Sequence, residues 1–159
     1  MGHSIKVVIG KPAVVERIAK VAGCPQPTEL PFGLVTAPLG ERQIDKLTAL
    51  QPGLYLEGFY YLSQGLRDAL VAAAESDAFA YVETEYFGGM GSQGAAFFDQ
   101  GRMVMNASEK DEPTSHDSPI NTVLRALGVK AERGQDEFNA LGLGHFRNNE
   151  ALGLEEYDA

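Results

Sequence analysis

The chain has 159 residues, 44% of them apolar and 22% charged, a composition typical of one folded domain and not of a disordered segment. Its 22 acidic and 13 basic side chains give a formal net charge of -9, which repels phosphate backbones and anionic lipids and so argues against a nucleic-acid reader or a membrane-surface protein. The single cysteine, Cys24, excludes an internal disulfide and a cysteine-rich zinc site.

The first residues predict a strand followed by a helix. SIKVVIG (4–10) is rich in β-branched residues, and KPAVVERIAKVAG (11–23) has Pro12 near its first turn and Gly23 as its stop. The predicted buried face of this helix holds Val14, Ile18 and Val21. The apolar run over 5–9 is too short for a signal peptide or a membrane span, so we expect a cytoplasmic protein, with export that needs no leader as the alternative.

The next segments predict two helices and a minor strand. Residues 24–40 contain four prolines and predict a connection with one short edge strand at 32–36. ERQIDKLTALQPG (41–53) predicts a short helix that ends at Pro52-Gly53, and the aromatic stretch 54–62 is partly extended. SQGLRDALVAAAES (63–76) predicts a helix capped by Ser63. The buried stripe of that helix is predicted to hold Leu66, Ala69, Leu70 and Ala73.

The second half of the chain predicts the centre of the sheet. AFAYVETEYF (78–87) and GAAFFDQGRMVM (94–105) favour a hairpin at about 78–106. A polar loop at 108–118 then leads to a helix with Ser118 as its cap and Pro119 at its first position. DEFNALGLG (136–144) predicts a last short helix.

These elements predict a single α+β domain over residues 1–150, followed by an acidic, frayed tail at 151–159. Its central, largely antiparallel sheet is flanked by four to five helices. The strand order and the oligomeric state stay open.

Three glycines between the hairpin strands have the spacing G-x-G-x-x-G, at Gly89, Gly91 and Gly94. A dinucleotide site needs a helix that starts within this motif, and the residues that follow favour a strand; the lysine of a phosphate loop is missing too. The glycines therefore predict a wide hairpin loop with Gln93 at its tip. Such a loop is either only a turn or a bare surface that another protein approaches closely.

Two carboxylates, Glu83 and Glu85, share one face of the predicted strand, with α-carbons about 6.5 to 7 Å apart. At that spacing they could share a metal ion or act as an acid/base pair. The alternative is that both are solvated at the mouth of the sheet. No third ligand lies at a fixed spacing, so we expect no metal and no cofactor.

No catalytic constellation is evident elsewhere. His116 and His145 lack a partner at metal-binding spacing, and His3 is assigned no role. Ser92 is out of register for a nucleophile elbow, and Cys24 would need a histidine brought to it by the fold. A non-enzymatic protein is therefore expected. The acidic stretch with Glu109, Asp111, Glu112 and Asp117 predicts a solvated surface that a basic partner could recognise.

Two stretches carry a resemblance: YVETEYFGGMGSQGAAFFDQG (81–101) and SPINTVLRALGVKAERGQDEFNALGLG (118–144). They resemble small uncharacterised acidic bacterial proteins that are similar to the immunity proteins which protect bacteria from polymorphic toxins. The resemblance implies a function in binding a toxin and assigns no catalytic residue.

The leading hypothesis is an immunity or inhibitor protein that covers the active site of a basic toxin or effector. The predicted contact residues are Glu83, Glu85, Gly89, Met90, Gly91, Ser92, Gln93, Glu109, Asp111, Glu112 and Asp117. The alternative is an enzyme or small-ligand binder that uses Glu83, Glu85 and the Gly89–Gly94 loop as a pocket. A third hypothesis is a structural subunit of a larger assembly.

Overall fold

The computed structural model describes residues 2–87, 90–111 (the backbone alone at 110 and 111) and 118–155. The strands are β1 (Lys6–Gly10), β2 (Thr28–Glu29), β3 (Val35–Pro38), β4 (Phe79–Phe87), β5 (Met90–Asp99) and β6 (Arg102–Asp111). The helices are α1 (Pro12–Ala22), α2 (Glu41–Thr48), α3 (Gln64–Ala74), α4 (Pro119–Leu127) and α5 (Glu137–Leu141). None of the described helices is long and apolar enough to cross a lipid bilayer.

All six strands form one antiparallel sheet in the order β2-β3-β1-β4-β5-β6. The sheet separates two apolar clusters, so it is covered on both sides. Helices α1 and α3 pack on one side, called here the α1/α3 face, and α4 and α5 pack on the other, the α4/α5 face. The predicted α+β class with a central antiparallel sheet and flanking helices is confirmed.

Strand β4 shows the alternation that the sequence predicts. Phe79 and Tyr81 lie in the cluster of the α1/α3 face, and Ala80 and Val82 lie in the cluster of the α4/α5 face. Successive side chains of a strand point to opposite sides, so Glu83, Glu85 and Phe87 continue the first row.

The predicted start and end of α1 and the predicted start of α4 are confirmed. Helix α1 starts at Pro12, and Gly23 ends it with a φ of 76° and an N–H that donates to the Ala19 carbonyl. Ser118 caps α4 by accepting a hydrogen bond from the Asn121 N–H. These ends depend on local backbone chemistry, which a short stretch of sequence carries.

Three predictions in the first half of the chain need correction. Val21 is 51% exposed, because α1 packs through neighbouring positions such as Val15 and Ala22 instead. The strand predicted at the sheet edge is β3, which lies between β1 and β2. Helix α2 ends at Thr48, since the two residues after it have positive φ values.

The polar stretch after residue 107 is also different from the prediction. Residues 108–111 continue β6 and pair with β5, so the predicted loop is wrong there; residues 112–117 lie outside the described part of the chain. Polar residues are compatible with this strand because it lies at the edge of the sheet.

The predicted frayed tail is packed as far as residue 154. Leu152 and Leu154 are buried, and the buried Asn149 accepts from the Lys6 N–H and donates to the Leu39 carbonyl. The end of the described chain is therefore tied to the middle of the sheet.

Candidate functional site

The glycine-rich stretch is part of a strand and not a wide loop. Phe87 at the end of β4 pairs with Met90 at the start of β5, and Gly91 and Gly94 pair with β4 on one side and β6 on the other. The predicted loop through residue 94 is therefore wrong; Gly89 lies outside the described residues. A backbone that is paired on both sides has no free N–H groups to cradle a phosphate.

The two described glycines of the motif allow close packing. A Cβ on Gly91, which has a φ of 153°, would lie 1.8 Å from the Glu85 carbonyl oxygen. A Cβ on Gly94 would lie 2.7 Å from the ring of Phe59. Gly91 and Gly94 thus fit a closely packed strand, and nucleotide binding is not needed to explain these two glycines.

Gln93 and Ser92 are buried, which contradicts the prediction of an exposed amide at a loop tip. The Gln93 side chain donates to the Tyr86 hydroxyl at 2.9 Å and accepts from the Ile120 N–H at 3.0 Å. Its amide therefore connects the sheet to the first turn of α4 and is not available to a partner.

Glu83 is 4% exposed and does not form a pair with Glu85. Its carboxylate accepts hydrogen bonds from the backbone N–H groups of Tyr60 at 3.2 Å and Tyr61 at 3.1 Å. Burial raises the pKa of Glu83 to about 7, against the opposing effect of these amides and of Lys6. Glu83 thus holds the segment before α3 against the sheet.

Lys6 completes this buried polar cluster on the α1/α3 face. It lies directly opposite Glu83 in the β1–β4 register, and its Nζ is 4.1 Å from the ring centroid of Tyr61. Burial lowers the pKa of Lys6, and the carboxylates of Glu41, Glu85 and Glu83 partly oppose that effect. Lys6 thus lies beside the Glu83 carboxylate with its ammonium over the Tyr61 ring.

Glu85 has a different environment from its neighbour. It is exposed, and its carboxylate accepts a hydrogen bond from the Ser4 hydroxyl at 3.0 Å. No group of three or more histidine, cysteine or carboxylate side chains that could hold a metal occurs within residues 2–87, 90–109 and 118–155. The hypothesis of a Glu83/Glu85 metal or acid/base pair therefore loses its geometric basis.

The end of the β4–β5 hairpin exposes two large apolar side chains. Phe87 is 83% exposed and Met90 57% exposed, and as a directly opposed pair they share the α1/α3 face. Glu85 precedes Phe87 by two residues and so lies on the same face. This hairpin end, defined by Glu85, Phe87 and Met90, combines apolar area with a negative charge.

Of the four other predicted acidic contact residues, the structure describes two. Glu109 lies in β6 opposite Gln93 and is half-buried, and Asp111 ends β6 opposite Gly91. Glu112 and Asp117 lie outside the described residues, as does His116. Only part of the predicted acidic surface can thus be located.

A cavity of about 220 Å³ lies on the α4/α5 face, where β4 and β5 meet the first turns of α4 and α5. We call it the α4/α5 cavity. Its lining residues are His3, Thr84, Tyr86, Gln93, Ser118, Ile120, Asn121, Asp136 and Phe138.

His3 forms one wall of this cavity, although the sequence assigned it no role. Its Nε2 is 3.1 Å from the Leu143 carbonyl and its Nδ1 is 2.8 Å from the Thr84 hydroxyl. Because a carbonyl only accepts, Nε2 donates to Leu143; in the neutral ring Nδ1 then accepts from the Thr84 hydroxyl, which also lies 3.3 Å from the His3 carbonyl oxygen. Burial lowers the pKa of His3 and favours that state. These contacts join distant residues, so no local sequence signal indicates them.

Cys24 is placed where its thiol is inert. Its Sγ donates a hydrogen bond to the Pro38 carbonyl at 3.1 Å, and burial raises its pKa to about 12. Since the thiolate is the reactive species, we expect alkylation of the native protein by iodoacetamide to be at least about 100-fold slower than that of the guanidinium-unfolded chain. Mass spectrometry of timed samples measures both rates. Equal rates in the two states would contradict this placement.

Comparisons with protein-family models, with curated proteins and with solved structures find no significant match to this chain.

Proposed function

We propose that the protein is a non-enzymatic inhibitor of the immunity type, which binds a basic partner protein such as a bacterial toxin and covers its active site. The observation that carries this proposal is the hairpin end, where Phe87 and Met90 are exposed side by side next to Glu85. Large apolar side chains at such a position are suited to fill a pocket on another protein.

The pairing of strand β5 on both sides supports binding. Strand β5 is paired on both sides, and the Gln93 amide connects it to α4. A contact surface that is already ordered loses little conformational entropy when it binds. The strand that carries Met90 is thus held in place on both sides before a partner binds.

Charge supports the choice of partner. The net charge of -9 attracts a basic protein and accelerates the encounter, and Glu85 places one carboxylate at the contact itself. Glu83, Ser92 and Gln93 are buried and so leave the predicted contact set. Inhibition is steric, since the two anchors of the contact, Phe87 and Met90, carry no group for chemistry on the partner.

The double variant Phe87→Ser/Met90→Ser tests the proposal. We expect it to weaken binding of the partner by about 100-fold or more, because both apolar anchors are lost. Tagged wild-type protein captures the partner from lysate of its own organism; the partner is then purified, and its affinity for each variant is measured by titration calorimetry. Wild-type protein, but not the double variant, is expected to protect cells that express the partner.

Leu50→Ser is the matched control, because Leu50 is an apolar side chain that is 73% exposed and lies just after α2. We expect it to bind as tightly as wild type. An unchanged affinity of the double variant, or the absence of any stoichiometric basic partner, would refute the proposed function.

A further inference from the structure

The α4/α5 cavity is the right size for a small organic molecule. Its volume of about 220 Å³ exceeds the roughly 150 Å³ of an engineered apolar cavity that binds benzene. Ile120, Phe138 and the ring of His3 give it apolar walls, and His3 and Phe138 pack edge to face with ring centroids 5.3 Å apart. A single ring with a short polar substituent would fit this space.

Most polar groups of the wall are already engaged. The amide of Asn121 donates to Asp136 and accepts from the Phe138 N–H, and both ends of the Gln93 amide are bonded to Tyr86 and Ile120. These groups shape the cavity and hold its walls. The recognition of a ligand must therefore come from charge.

The charge of the wall is negative, and no lysine or arginine among the described lining residues balances it. Asp136 accepts from the Asn139 N–H at 2.8 Å and from the Asn121 amide at 3.2 Å, and both donors are neutral. The described residues that line the cavity include no lysine or arginine, and burial lowers the pKa of His3, which favours its neutral form. Arg147 is close enough to lower the pKa of His3 but is not part of the lining.

Glu109 adds an independent indication. It is directly opposite the lining residue Gln93 on the α4/α5 face, although it does not itself line the cavity. One of its carboxylate oxygens, Oε1, is buried and has no hydrogen-bond partner within the described part of the chain. A buried acceptor without a donor is costly, and in native proteins such a group commonly meets a ligand, an ion or a water.

We propose that the α4/α5 cavity binds a small organic cation, an amine or amidine on a single ring, with its charge held by Asp136 and Glu109. The hydrophobic body fills the space between Ile120, Phe138 and His3. The site lies on the opposite side of the sheet from the hairpin end, so it is separate from the proposed inhibitor function and neither proposal depends on the other.

A series of three probes of similar shape tests the charge requirement on the wild-type protein. Benzylamine is expected to bind with a dissociation constant on the order of 0.1 to 1 mM, as suits so small a ligand. Benzyl alcohol should bind at least about tenfold more weakly, since it lacks the charge, and phenylacetate should not bind. Amide chemical shifts of the lining residues measure each titration.

Two variants test the assigned carboxylates. Asp136→Asn keeps an equally good helix cap, and Glu109→Gln keeps the shape of the strand residue. We expect at least a tenfold loss of benzylamine affinity in the first variant and a smaller loss in the second. Asp68→Asn is the control, because Asp68 is an exposed carboxylate on α3 at the other face; its affinity should equal that of wild type.

Three results would overturn the proposal: no saturable shift with benzylamine, equal affinity for benzyl alcohol, or an unchanged affinity in Asp136→Asn. If circular dichroism shows that Asp136→Asn does not fold, the comparison of the three probes on the wild-type protein still tests whether the cavity requires a cation.

Discussion

Replacing Gly94 by alanine is expected to lower the free energy of unfolding by about 2 to 3 kcal/mol. The added Cβ would lie 2.7 Å from the ring of Phe59, which is itself 7% exposed and packed against β5. The ring cannot shift without leaving the core, so the strand and the ring must move apart. Urea denaturation followed by circular dichroism measures the change.

A double-mutant cycle isolates the contact. Phe59→Ala alone should cost about 3 to 5 kcal/mol, and with the ring absent Gly94→Ala should cost less than about 1 kcal/mol. Gly144→Ala is the control, because a Cβ there would meet Phe138 at an ordinary 3.5 Å. If Gly94→Ala costs the same with and without the Phe59 ring, the close packing is not the reason for this glycine.

The stability of the protein is expected to fall as pH rises through 7, by up to about 3 kcal/mol from Glu83 alone. The pKa of Glu83 is about 7 in the folded protein, above its ordinary value of 4.5. Between these values the folded state binds more protons than the unfolded chain, so folding is favoured at the lower pH. The contribution is complete below about pH 4.5 and is lost as pH rises through about 7.

Glu83→Gln separates the contribution of Glu83 to the pH dependence of stability from the contributions of the other titrating groups. Glutamine can still accept from the Tyr60 and Tyr61 amides but carries no charge, so the variant should lack this part of the pH dependence. Urea midpoints from about pH 5 to pH 8 for both proteins measure the difference, and other carboxylates contribute equally to each. Parallel pH profiles for the two proteins would show that Glu83 titrates normally.

The sequence predicts well those parts of the fold that local chemistry decides. Pro12 and Gly23 mark the two ends of α1, and Ser118 marks the start of α4, because each residue satisfies backbone requirements at its own position. The alternation in β4 is equally local, since it depends only on the two-residue period of a strand.

The sequence does not predict those features that depend on neighbours far along the chain. Residues 108–111 look like a loop, yet β5 offers them a pairing edge. Glu83 looks solvated until the Tyr60–Tyr61 backbone covers it. Gln93 also looks exposed in the sequence, because the residues that bury its amide belong to other elements, β4 and α4.

The α4/α5 cavity shows the same limit for a site. Ser118 and Asp136 are recognisable as helix caps, but their role in a cavity wall depends on His3, which lies more than 100 residues away in the sequence. A capping residue predicts where its own helix begins. That the starts of α4 and α5 lie side by side depends on how both helices pack on the sheet.

The central position of β1 has a consequence for how the chain folds. Strands β4, β5 and β6 follow one another directly and can pair as soon as they form, whereas β1 must meet β4 about 70 residues away. Closing so long a loop costs more entropy than forming a hairpin, so we expect the β1–β4 pairing to form after the pairing of β4, β5 and β6. The three consecutive strands β4, β5 and β6 would then offer the edge on which β1 pairs.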